Sequence, residues 1–160
     1  MAVDVFFKLG DVKGESEDHK HKGSIDVLAW SWGVSNSGNT HVGTGSGSGK
    51  VNVQDLSFTK YIDVSTPDLL LAACNGKHYK EAVLTVRKAG EKPLEYLKIT
   101  MEDLSVTSVS MGGSGGEDRL TESVSVNFGR VKVDYTQQLA TGAEGAKPKM
   151  GWDITKNEKI

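Results

Sequence analysis

The chain has 160 residues, 25% charged and 37% hydrophobic, with 19 Lys and Arg against 21 Asp and Glu for a net charge of -2. That length suits one domain over residues 1–160, burying about two-thirds of its surface on folding, and a lone cysteine, Cys74, excludes an internal disulfide or a cysteine-rich zinc site. The balanced charge argues against a nucleic-acid face, and no apolar run approaches the ~18 residues of a spanning helix, so neither nucleic-acid binding nor membrane insertion is expected.

The first segment, Asp4–Leu9, reads as a strand; Asp4 and Lys8 interrupt it too early for a cleavable signal peptide. Glu15–Lys22 reads as a solvated charged loop. Ile25–Ser35 reads as a strand whose Leu28, Trp30, Trp32 and Val34 share a core face, leaving Ala29, Ser31 and Gly33 on a face with almost no side chain. A glycine-rich connection, Ser35–Gly49, is longer than compact domains usually hold, and Val51–Lys60 follows as a strand with a parity slip between Val53 and Leu56.

One short helix is expected around 66–75, with Thr66 as cap, Pro67 at the first helical position, Asp68 at the positive end and Gly76 as exit. Cys74 within it reads as a small core residue. Beyond it, Glu81–Lys88, Leu97–Met101, Leu104–Ser110, Val124–Phe128 and Val131–Tyr135 alternate with period two, and a second slip falls between Met101 and Leu104. A one-residue slip exposes a core face, so a β-bulge is expected at each. The fold class is all-β and antiparallel, a β-barrel or sandwich of about seven to nine strands with the helix flanking it.

Chemical motifs fail on context. Gly43–Lys50 resembles a phosphate loop, but Thr44 stands where the first glycine is needed and a strand follows. Gly112–Gly116 matches G-x-S-x-G around Ser114, yet a strand follows it and all four histidines lie upstream. His19 and His21 lack a convergent ligand set. The neighbouring carboxylates Glu102–Asp103 and Glu117–Asp118 would face opposite ways in an extended chain. No enzyme activity and no cofactor are expected; an exposed Trp30–Trp32 pair stacking on glycans is the alternative function, a monomeric β-barrel binding module.

The chain resembles the haemolysin-coregulated protein (Hcp) family of type VI secretion systems, in order and over nearly its whole length. The matching residues are Ala2–Asp4, Gly10–Ser16, Ile25–Gly33, Gly49–Lys60, Ser65–Pro67, Gly76–His78, Arg87–Gly90, Gly112–Leu120 and Gly151–Trp152. The resemblance implies a flanked β-barrel that assembles as a homohexamer, a six-membered ring stacking into a tube. It further implies a contractile sheath, a spike of the valine-glycine repeat family, secreted effector proteins in the lumen, and residence in the cytoplasm before firing to the outside.

Within that frame Ala29, Ser31 and Gly33 are candidates for the lumen face. Gly43, Thr44, Gly45, Ser46, Gly47, Ser48 and Gly49 are candidates for an arm reaching a neighbouring subunit. Ala89, Gly90 and Glu91, with Asp153, Lys156 and Asn157, are candidates for the surfaces on which rings stack.

Overall fold

The computed structural model describes residues 3–38, 50–90 and 92–160. The elements in chain order are β1 (Val3–Leu9), β2 (Ile25–Asp26), β3 (Ala29–Ser31), β4 (Val34–Asn36), β5 (Val51–Val53), β6 (Leu56–Tyr61), α1 (Thr66–Asn75), β7 (His78–Lys88), β8 (Leu94–Gly112), β9 (Thr121–Tyr135), β10 (Lys149–Asp153) and β11 (Glu158–Lys159). The antiparallel sheet and the single short helix match the sequence reading. Strand pairing runs as an open path, β11-β10-β9-β8-β7-β1-β2, with β6 joined to β9 and β3 to β6, so no closed barrel is drawn by the pairing of the described residues. The expected Ile25–Ser35 strand is broken into three pieces, because Ile25–Asp26 pair with β1, Ala29–Ser31 with β6 and Val34–Asn36 with β5.

The core follows the alternation. Phe7 and Leu9 of β1, Leu84 of β7, Met101 and Leu104 of β8, and Val124 and Val126 of β9 are fully buried. β8 is one long strand, where two were expected. Its parity changes at Asp103, which takes the left-handed φ of 53°, and the burial pattern changes parity at the same level in β7, between Tyr79 and Ala82, and in β9, between Phe128 and Val131. No bulge sits there, since Leu104↔Phe128 and Glu102↔Arg130 keep one register. All three strands switch together, so the sheet bends along a line while the core residues on both sides stay inward; Gly129, facing Asp103, leaves room for the bend. The register shifts lie elsewhere, at Val86/Arg87 and Val106/Ser108. The slip after Val53 is likewise a strand break at Gln54–Asp55 rather than a bulge.

Helix α1 covers the expected 66–75, with Ser65 rather than Thr66 at the cap position, and exits through Gly76 in the left-handed region at φ 66°. Leu69 and Ala72 are buried while Leu71 is 60% exposed. Cys74 is exposed, which corrects its expected core position: it falls on the helix side that carries Leu71, away from Leu69 and Ala72.

Glu15–Lys22 is surface chain but not free chain. Gly14 N donates to Gly23 O at 2.8 Å and Ser16 N to Ser24 O at 3.0 Å. Asp18 accepts from the backbone N–H groups of Lys20 and His21 and takes both terminal nitrogens of Arg87, at 2.9 and 2.5 Å. His21 Nε2 lies 2.6 Å from Glu95 Oε1, and its ring stacks on Phe6 at 4.5 Å. The guanidinium of Arg87 holds the Asp18 carboxyl well below the usual carboxylate range. A depressed folded-state pKa gives stability that is present above the unfolded value, about 4, and is lost as pH falls through the folded value. Asp18→Asn will therefore lower the melting temperature by a constant amount above about pH 5, and the gap to the wild type will close below about pH 4. Melting curves from pH 2 to 7 check this; a gap unchanged at pH 2 contradicts it.

Candidate functional site

The residues expected on a small-side-chain face extend into a larger surface. In the register Ala29 stands opposite Thr59, Thr59 opposite Ser123, and Ser123 opposite Ser110. The next row reads Ser31, Ser57, Ser125, Ser108. Two cross-strand rows on β3, β6, β9 and β8 thus present seven hydroxyl side chains and one methyl, with no charge among them. Ser57 and Ser125 hydrogen-bond to each other at 2.8 Å, and Ala29, Ser31, Ser57, Thr59 and Ser123 line a shallow groove of about 230 Å³. Gly33 lies outside these rows, beyond the end of β3, where its carbonyl accepts from Gln54 N.

Trp30 and Trp32 are half-buried against the core. Trp32 donates its ring N–H to Gln54 O at 2.9 Å and tilts over Phe128 at 6.1 Å. Both are partly buried among core residues, so they are not the freely exposed pair that the alternative reading calls for. Leu28 and Val34, expected on the core face with them, are 49% and 56% exposed, because chain breaks on either side of β3 end the alternation there.

β4 and β5 form a separate two-stranded ribbon with Val34 paired to Val53 and Asn36 to Val51. The arm candidate, 43–49, joins these two strands and lies outside the described residues, as does Glu91. Ala89 and Gly90 sit at the β7–β8 turn and border a cleft of about 320 Å³ with Asp4, Asp18, Arg87 and Pro93. Asp153 is buried and accepts the N–H of Lys156 at 2.9 Å, ordering the β10–β11 turn, while Lys156 and Asn157 are exposed. Ser114 shares its groove with Ile62, Met111 and Leu120, with no histidine and no carboxylate lining it. Glu102 and Asp103 do not face opposite ways: the left-handed turn at Asp103 lets both reach Arg130, at 3.0 Å each. With Lys132 they form a surface ion cluster that lowers the Glu102 pKa, chiefly through its bond to Arg130.

One cluster escaped the sequence reading. Lys60 and Glu122 stand directly opposite in the β6–β9 register, both fully buried and paired. Thr66, which does not cap α1, donates to Glu122 at 2.9 Å, and Lys60 also lies 3.0 Å from Asp63. Asp63 in turn accepts from Ser65 N at 2.8 Å. The start of α1 is thereby tied to both strands. Strand parity alone carried the signal: Lys60 continues the inward series Leu56, Phe58, and Glu122 begins the inward series Val124, Val126.

A family model described as type VI secretion system effector, Hcp, matches residues 6–135. The chain is 67% identical to the curated protein hcp1 of Pseudomonas aeruginosa over 159 residues, 98% of each chain. Among solved structures it superposes on one titled as a type six secretion system protein with a TM-score of 0.93, at 31% identity over 99% of this chain and 100% of that one. Hcp1 from Salmonella typhimurium gives a TM-score of 0.84 at 41% identity, over the full length of both chains.

Proposed function

The chain belongs to the Hcp family of type VI secretion proteins, and from that premise we propose how it works as a subunit of the secretion tube. It is a structural, self-associating protein, and the whole chain acts as one domain without catalysis of its own. Its sheet works as a barrel closed at the segment from Ile25 to Ser31. What supports closure is that Val27 N donates to Val5 O on β1 at 3.0 Å, while the next N–H, of Leu28, donates to Thr59 O on β6 at 2.8 Å. Successive N–H groups of an extended chain point to opposite sides, so this segment bridges the two strands.

Six copies form a ring with the hydroxyl rows facing the lumen, and rings stack into the tube. The two uncharged rows carry the lumen assignment. A conduit for varied proteins gains from a wall that is wetted and small and that favours neither sign of charge. Ala29 and Ser31 lie on that wall, with Gly33 at its margin. The β4–β5 ribbon, with its 43–49 connection, reaches a neighbouring subunit; a free two-stranded ribbon is marginal in water and gains stability from such contact. The turns at Ala89–Glu91 and at Asp153–Asn157 serve ring stacking. In the cell the tube waits in the cytoplasm inside a contractile sheath, capped by a spike of the valine-glycine repeat family, and leaves with its effectors on contraction.

Ser31→Arg tests the lumen assignment. A long cation at the centre of the groove narrows the wall and gives it charge, so rings will form at the wild-type mass while co-purified effector falls at least about tenfold, the effect of ~1.4 kcal/mol. Unchanged effector retention removes Ser31 from the lumen. Loss of the rings themselves moves Ser31 into a subunit contact.

A further inference from the structure

The two uncharged hydroxyl rows are bounded on one side by a fixed charge. Asp55, in the break between β5 and β6, stands two residues before Ser57. Its Oδ1 accepts the Asn127 side-chain N–H and its Oδ2 the Thr107 hydroxyl, both at 2.8 Å. Asn127 lies two residues beyond Ser125 on β9, hence on the same face. Thr107 is the residue left unpaired by the register shift between Val106 and Ser108, and a bulge of this kind re-aims a side chain. β9 runs between β6 and β8. Reaching Thr107 of β8 from the β6 side therefore carries the carboxylate across β9, beside the row of Ser31, Ser57, Ser125 and Ser108.

This carboxylate has no cation partner among the described residues, and the cations along the face are committed or distant. Arg130, three residues beyond Asn127, holds Glu102 and Asp103 at 3.0 Å each. Arg119 lies over the Tyr61 ring at 3.8 Å, and Tyr61 is about 20 Å along the strand from Asp55. Lys50 stands at the other end of β5, and His78 shares the Asn127 row but lies beyond Ser105. Two donors fill about half of a carboxylate's roughly four acceptor sites. Asp55 is half-buried rather than enclosed, so a third donor can reach it. Held by two neighbours, it loses little freedom when a ligand arrives.

We propose, resting on the lumen reading, that Asp55 anchors cargo: an effector seated on the hydroxyl wall presents a lysine or arginine side chain to this carboxylate. The two neutral rows supply hydrogen-bonding contact, and Asp55 selects cationic over anionic surface. Repeated around the ring, the carboxylates form a band of one sign at one margin of the wall.

The test uses labelled octalysine as probe, with octaglutamate beside it, on assembled wild-type rings at low ionic strength. Octalysine will bind and octaglutamate will not. Asp55→Asn keeps one oxygen acceptor and removes the charge. It will weaken octalysine binding at least about tenfold, since several exposed pairs act on one peptide. Glu158→Gln removes an exposed carboxylate on β11 and will leave binding unchanged, which controls for net charge. Carbodiimide coupling of octalysine bound to wild-type rings, followed by peptide mapping, will place the new amide on Asp55 without any substitution. Binding that Asp55→Asn leaves intact, or that Glu158→Gln weakens equally, overturns the proposal, as does an amide found only on other carboxylates. Effector retention separates the anchor from its premise. Effector kept by Asp55→Asn rings but lost from Ser31→Arg rings rejects the anchor and keeps the lumen reading; effector kept by both rejects both.

Discussion

Lys60→Met will destabilise the subunit by about 3–5 kcal/mol in chemical denaturation, the cost of leaving a buried charge without its partner. Glu122 is fully buried, and besides Lys60 its hydrogen-bond partner is the Thr66 hydroxyl. Its second carboxylate oxygen has no hydrogen-bond partner among the described residues. Removing the ammonium leaves a buried carboxylate without the cation that faces it. The double variant Lys60→Met/Glu122→Leu will recover part of that loss, because replacing both charges with apolar groups of similar size is often neutral or better, while Asp63, 3.0 Å from Lys60, still loses its cation. A double variant as unstable as the single one contradicts this account of the pair. With the pair gone, the first turn of α1 loses two of its anchors, and amide exchange at residues 66–69 will rise even where global stability is partly restored.

Gly14→Ala will destabilise by ~1–3 kcal/mol or more, on the scale of overpacking a closed site. A methyl there would approach Ile25 Cα to 2.7 Å and come closer still to the Ser24 carbonyl. Both are backbone atoms, so no side chain can rotate away. The Gly14–Gly23 and Ser16–Ser24 hydrogen bonds hold this loop beside β2, and through Asp18 it clamps Arg87 of β7. The expected signature is a lower melting temperature together with early proteolysis within 14–23. An unchanged melting temperature would mean that the two backbones separate at little cost.

The alternation of β1, β6, β8 and β9 made most of the core legible, because one face of each strand is buried and period two records it. The bend was legible only as a parity slip. A slip in one strand looks like a bulge, and only the register of β7, β8 and β9 together reveals that all three turn at one level. The broken Ile25–Ser35 segment misled in the opposite direction. Its apolar residues alternate, but the chain passes from β1 to β6 within it, and Leu28 and Val34 lie beside the breaks.

Ser31 was singled out from one strand. The hydroxyl face became visible only when β6, β8 and β9 supplied their own serines and threonine from distant sequence positions, Ser31 and Ser125 lying 94 residues apart (125 − 31) in the Ser31, Ser57, Ser125, Ser108 row. Composition also hid the Lys60–Glu122 pair, since charged residues on half-buried strands are read as solvent-facing. Cys74 shows the same weakness from the other side, an apolar-looking helix residue on the turn that faces out.

The native mass of the purified protein, with negative-stain images of the same peak, tests the central claim most directly. The tube-subunit account predicts a mass near six chains and ring-shaped particles with an open centre, lengthening into stacks as concentration rises. A single-chain mass across a wide concentration range, with no rings, would contradict it.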